Sequence, residues 1–155
     1  MKNASKFISA FAVSSAMLGA SALAADCTSV NSIVRVKNTK IGIHEYVVFD
    51  FKKPPAVPNY AVAAATGPFI QDPSGLPLSV AGSAFRRVTF TGVVWTCAIP
   101  EVLSLPRPAI ADVKKLGQFE GIVTYIVGAS SGATFLGSYD YSSGSLRKVV
   151  LKYRK

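Results

Sequence analysis

The sequence predicts an all-β domain, built as an antiparallel β-sandwich or a partly closed barrel. Three observations lead there. Val, Ile, Phe, Tyr and Thr gather in short segments, several of which alternate with the two-residue period of a strand. Clusters of Gly, Pro, Asn and Ser separate those segments at short intervals. No stretch beyond the first 25 residues sustains the 3.6-residue period of an amphipathic helix. Many short strands with frequent turns bury their apolar faces by packing two sheets together or by curling one sheet into a barrel.

Residues 33–37 alternate weakly and open the series. The next segment is stronger: Val47, Phe49 and Phe51 fall on one face, and Tyr46, Val48 and Asp50 on the other. Pro54, Pro55 and Pro58 end it, because proline cannot donate to a ladder. Residues 60–65 form the next strand, and Gly67-Pro68, Asp72-Pro73 and Ser74-Gly75 mark an extended turn region. Residues 85–95 give the longest apolar candidate, with a kink or bulge at Gly92. Pro100, Pro106 and Pro108 make residues 98–108 an irregular loop, and residues 110–116 read equally as a strand or as one helical turn. Residues 121–127 form a strand that ends in a glycine/serine turn at 128–132. Residues 135–139 lead to a turn at 141–145. The closing segment, 146–154, puts Val149, Leu151 and Tyr153 on one face and Lys148, Val150 and Lys152 on the other.

The first 25 residues carry an address. Lys2 and Lys6 precede an uncharged, largely apolar run over 7–18, and Ala22-Leu23-Ala24 supplies the small-x-small pattern of a cleavage site. The run is too short to span a bilayer, so residues 1–24 are expected to be a secretory signal peptide and residues 25–155 a single β domain. Asp26 sits where a lipobox before Cys27 needs a small neutral residue. The chain is therefore expected to be exported, to a periplasm or to the medium, without a membrane-spanning segment. Loss of Lys2 and Lys6 lowers the formal charge from +9 to +7. Outside the cell such a balance favours anionic polymers, lipid headgroups and acidic proteins over nucleic acid. In an oxidising compartment Cys27 and Cys97 are expected to pair, closing a loop of about 70 residues and stabilising the fold by about 4 kcal/mol.

Little in the sequence points to catalysis. One histidine and two cysteines do not make a standard zinc site, and Asp50, Asp72, Asp112 and Glu120 lack a calcium-loop spacing. Phosphate-loop and dinucleotide motifs are missing. A thiol nucleophile at Cys97 or a serine nucleophile would have only His44 as its base. The expectation is a protein that is not an enzyme and needs no metal or other cofactor. His44-Glu45 reads as a polar strand entrance or as a hydrogen-bonded pair at the mouth of a site. Tyr125, Tyr139, Tyr141 and Tyr153 read as half-buried strand residues or as an aromatic stacking surface.

Several of these segments resemble one known module in the right order. Glu45-Tyr46-Val47-Val48-Phe49-Asp50-Phe51 is similar to the D-R-V-V-F-E-F strand of the AMIN-like domain of exported bacterial envelope proteins. Pro58-Asn59-Tyr60-Ala61-Val62 resembles its P-G-Y-x-V continuation. Ser74-Gly75 and the stretch 78–84 resemble its S-G … V-x-V-x-G-x-A pattern, which residues 85–90 extend. Gly117-Gln118-Phe119-Glu120-Gly121 resembles the G-x-F-E-G turn, and residues 147–153 the closing R-L-V-V-D-V strand. The resemblance covers most of residues 31–154, with Glu45-Tyr46 in place of Asp-Arg, His44 where an aromatic is usual and Lys152 in place of the final acid. Neither the cysteine pair nor the proline-rich loop belongs to the pattern. The resemblance implies a β-sandwich with a non-catalytic role in the cell envelope, and it assigns no binding residues.

Composition and resemblance together lead to an exported binding module that docks on anionic wall polymer, or on an envelope protein, through its cations. Arg86, Arg87, Lys148 and Lys152 are the candidate contacts. Two other readings stand beside it: a small sandwich or barrel that carries a hydrophobic ligand, and an inhibitor or assembly partner that adds an edge strand to another protein.

Overall fold

The computed structural model describes residues 29–52, 59–94, 102–103 and 106–155. The expected signal peptide, both cysteines, Trp95 and most of the proline-rich loop lie outside the described residues, and so does the expected disulfide.

The described residues form strands joined by turns, with no helix among them. In chain order the strands are β1 (Ile33–Ile41), β2 (His44–Lys52), β3 (Asn59–Ala65), β4 (Phe69–Ile70), β5 (Pro77–Leu78), β6 (Ala84–Thr91), β7 (Val102–Leu103), β8 (Ile110–Phe119), β9 (Ile122–Ala129), β10 (Thr134–Ser143) and β11 (Leu146–Arg154). One sheet runs β10-β11-β2-β1-β7 and the other β3-β6-β9-β8, with β4 and β5 forming a small ribbon. All pairings are antiparallel except β1 with β7. The two sheets do not close into a barrel: β10 pairs only with β11 and β3 only with β6 among the described residues. The fold is an all-β sandwich.

Between the sheets lies one core. Phe49 and Phe51 of β2 meet Phe90 of β6 and Tyr125 of β9, with ring centroids 4.9–5.0 Å apart in edge-on contacts. Val36, Val47, Val149, Leu151 and Tyr153 extend the core on one side, and Val88, Val123, Val127, Ile110 and Val113 on the other. Burying each such side chain contributes about 1.5–3 kcal/mol before the entropy of ordering is set against it. Glu45 shares this inner face. Its Oε2 accepts from the backbone N–H groups of both Ala109 and Ile110 at 2.9 Å, which ties β2 to the start of β8 across the sandwich. His44 projects from the opposite face, so the two residues enter the strand as separate polar groups rather than as a pair.

Segment 110–116 resolves as part of a ten-residue strand. Register shifts between Ile110 and Asp112 and between Lys115 and Gly117 each insert a residue, which scrambles the alternation that would have marked it. The expected turn at 141–145 shrinks to Gly144-Ser145, because Tyr141, Ser142 and Ser143 still pair with β11. Gly42 and Gly144 each take the first position of a two-residue hairpin with positive φ (59° in both), a place that suits a residue without Cβ.

The outer face of the β3-β6-β9-β8 sheet is covered in part by the chain between β3 and β6. Phe69 packs on Phe85 with ring centroids 5.1 Å apart, and the N–H of Asp72 donates to the Leu116 carbonyl at 2.9 Å. Gly128 lies where this segment comes closest. A Cβ there would stand 1.9 Å from the Ala81 carbonyl oxygen, so only glycine fits.

Candidate functional site

The opposite outer face, on the β10-β11-β2-β1 strands, carries no covering segment among the described residues. Alternation and register arrange its side chains in cross-strand rows. Arg35, Asp50, Lys148 and Tyr141 form one row, and Lys37, Val48, Val150 and Tyr139 the next. Thr39, Tyr46 and Lys152 follow, and then Ile41, His44 and Arg154. The expected faces of β2 and β11 are thereby borne out, and the two strands lie side by side.

The rows differ in how they are held. Asp50 is fully buried although it points outward. Arg35 donates to it through Nε at 2.6 Å and Lys148 through Nζ at 2.6 Å, and the Lys148 side chain keeps only 12% of its exposure. This triad fixes one end of the face. Val48 and Val150 form an apolar floor at its centre. Tyr139 and Tyr141 stand beside it, 45% and 43% exposed, with stacked rings 6.1 Å apart at 24°. Together with Tyr46 and Lys37 these residues line an open depression of about 210 Å³. Loss of solvation, with the neighbouring phenols of Tyr46 and Tyr141, raises the Tyr139 hydroxyl above its ordinary pKa. At the far end, loss of solvation and the charges of Lys152 and Arg154 hold His44 below the usual histidine range.

Lys37, Lys52, Lys152 and Arg154 make no ion pair with a carboxylate among the described residues, and Asp50 is the single acid on this face. Such an arrangement offers cations around a tyrosine-lined floor, suited to an extended anionic or hydroxyl-rich ligand. Among the described residues no group of His, Cys, Asp and Glu is placed to hold a metal ion. They include no helix long and apolar enough to cross a membrane, which leaves strands untested in that respect.

Of the four candidate cations, the structure brings Lys148 and Lys152 together on this face and separates the other two. Arg86 points between the sheets, with its guanidinium 4.7 Å from the Phe135 ring centre. Arg87 lies exposed on the far side of the molecule, opposite Ala63 and Ile126. The tyrosines also divide: Tyr139 and Tyr141 form the surface pair, whereas Tyr125 and Tyr153 are core residues whose burial raises their hydroxyl pKa values. Arg35, Lys37 and Arg154 belong to the face but were not singled out by the sequence. The one signal for them was the alternation of β1 and β11, and β1 is irregular at its start because its register shifts between Ile33 and Arg35.

A family model for the AMIN-like domain matches residues 32–137, from the start of β1 into β10. The chain belongs to the AMIN-like domain family. That family groups non-catalytic, cell-envelope-related binding modules, so this AMIN-like chain is a binding module of envelope type at that level of description. The match ends before β11, whose likeness to the family's closing strand rests on the sequence pattern alone. Comparison with curated proteins and with solved structures gives no match.

Proposed function

We propose that this AMIN-like domain is an exported, non-catalytic module that docks on an anionic wall polymer through the outer face of the β10-β11-β2-β1 strands. The observation that carries this reading is the set of Lys37, Lys152 and Arg154, which have no carboxylate partner among the described residues and share one face with the half-buried Tyr46 and the exposed Tyr139 and Tyr141. Polymer phosphates or carboxylates would meet the cations, and sugar rings would lie on the phenol faces. Lys148 takes part as a charge anchored by Asp50 rather than as a mobile contact. Arg86 and Arg87 drop out of the docking set.

Export rests on the signal-peptide pattern of residues 1–24, and it would deliver Cys27 and Cys97 to a compartment where they pair. The reading as a carrier of a hydrophobic ligand gains nothing from the depressions lined by described residues, which are open and about 190–210 Å³. Sedimentation with purified cell walls across a salt series tests the proposal. Retention that falls as salt shortens the Debye length from about 30 Å to about 8 Å supports it, and retention indifferent to salt refutes it. The mass of the exported protein checks the address: its N-terminus should be Ala25.

A further inference from the structure

The open side of the sandwich holds a second group of polar side chains that the docking face does not use. Between β3 and the start of β10, Arg86 and Tyr153 line a depression of about 210 Å³ walled by Ala64, Ala65, Ala129 and Ala133. Arg86 makes no hydrogen bond or ion pair among the described residues; its guanidinium stacks on Phe135, a contact that leaves the N–H edge of the fork uncommitted. Tyr153 is fully buried, and its hydroxyl has no hydrogen-bond partner among the described residues. The two groups are close enough for the Arg86 charge to favour ionisation of that phenol against its burial. A folded protein rarely leaves a buried hydroxyl and a half-buried guanidinium unanswered side by side.

We propose that this mouth is a second binding site, which takes the free carboxy terminus of a short extended peptide. The planar fork of Arg86 matches a carboxylate through two parallel hydrogen bonds, and the Tyr153 hydroxyl donates a third. The alanine walls leave the approach to the fork open. On either side run β3 and β10, edge strands whose outer backbone groups have no strand partner among the described residues, and an extended peptide can lie along either. The site is independent of the wall-docking face, which is formed by the other surface of the β10-β11-β2-β1 strands.

The test is a titration of the isotope-labelled protein with N-acetyl-alanyl-alanine and, separately, with its carboxy-terminal amide, followed by nuclear magnetic resonance. The carboxylate should shift the Arg86 Nε–H and the amides of Ala64, Ala65 and Ala133 saturably. The amide form should bind at least about tenfold more weakly, as expected when a charge-assisted pair is lost. R86Q should weaken carboxylate binding by about tenfold or more, and R86K by less, since it keeps the charge and loses the fork. Y153F, which retains the ring and its packing, should cost a few-fold in affinity. Absence of saturable shifts, equal binding of acid and amide, or unchanged affinity in R86Q overturns the proposal. Should R86Q fail to fold, the acid–amide comparison on the unaltered protein and Y153F still decide the matter.

Discussion

Replacement of Asp50 by Asn probes the buried triad beneath the docking face. The substitution keeps shape and removes one negative charge from a site with no solvent exposure, where Lys148 Nζ and Arg35 Nε each stand 2.6 Å away. At an effective dielectric of about 20, one such contact corresponds to about 6 kcal/mol of gross attraction, most of it offset by the cost of desolvating both partners. What the variant leaves behind matters more: Lys148, 12% exposed, faces Arg35 with no carboxylate between them. Breaking a buried pair from one side costs about 3–5 kcal/mol, a large part of the 5–15 kcal/mol that holds a domain folded. Arg35 is 42% exposed, so R35Q should cost under about 1 kcal/mol. The double variant D50L/K148M removes both buried charges and should recover most of the loss. Equilibrium unfolding in urea reads all three as midpoint shifts, about 1–5 M for D50N at ordinary slopes. Binding to walls at low salt should persist in folded D50N, because the face loses its one acid and keeps its cations. A stability loss under 1 kcal/mol in D50N, or an equal loss in R35Q, would refute this account of the triad.

Three further outcomes follow from the structure. G128A forces the Ala81 carbonyl away from a Cβ that would stand 1.9 Å from it, and should lower Tm by about 5 °C or more; an unchanged melt would mean that the segment between β3 and β6 is not seated on the sheet. Tyr125 and Tyr153 hold their protons in the folded state above the pH, near 10, at which the unfolded chain releases them. The unfolded state then binds fewer protons, so stability present below pH 10 should fall above it by about 1.4 kcal/mol per pH unit for each tyrosine, with a shallower fall in Y125F; urea midpoints between pH 9 and 11 check this. His44 should titrate below 6.5 by proton magnetic resonance and move upward in K152Q or in added salt; an unmoved titration would contradict the placing of Lys152 and Arg154 beside it.

The sequence made β2 and β11 legible because each alternates without interruption and buries one face against the core. It hid the extents of β1, β8 and β10 because each contains a register shift, and one inserted residue reverses the parity on which the two-residue period depends. The docking face was legible in halves. Tyr46-Val48-Asp50 and Lys148-Val150-Lys152 each share a face by alternation, but the pairing of β2 with β11 joins segments nearly a hundred residues apart, and no local pattern announces it. Arg86-Arg87 teaches the converse. Adjacent residues on a strand point to opposite faces, so once β6 is recognised the two arginines cannot form one contact patch. Glu45 also escaped, since nothing in the sequence tells an exposed acid at a strand entrance from one that receives two backbone N–H groups across the sandwich.

The measurement closest to the central claim compares wall retention of the protein with that of K37E/K152E and of R87E, at low salt and at 0.15 M. If the outer face of β10-β11-β2-β1 is the docking surface, K37E/K152E should lose at least about tenfold in affinity, near 1 kcal/mol for each cation removed, while R87E on the far side keeps nearly all of it. Equal retention by K37E/K152E and the unaltered protein, or an equal loss in R87E, would contradict the account.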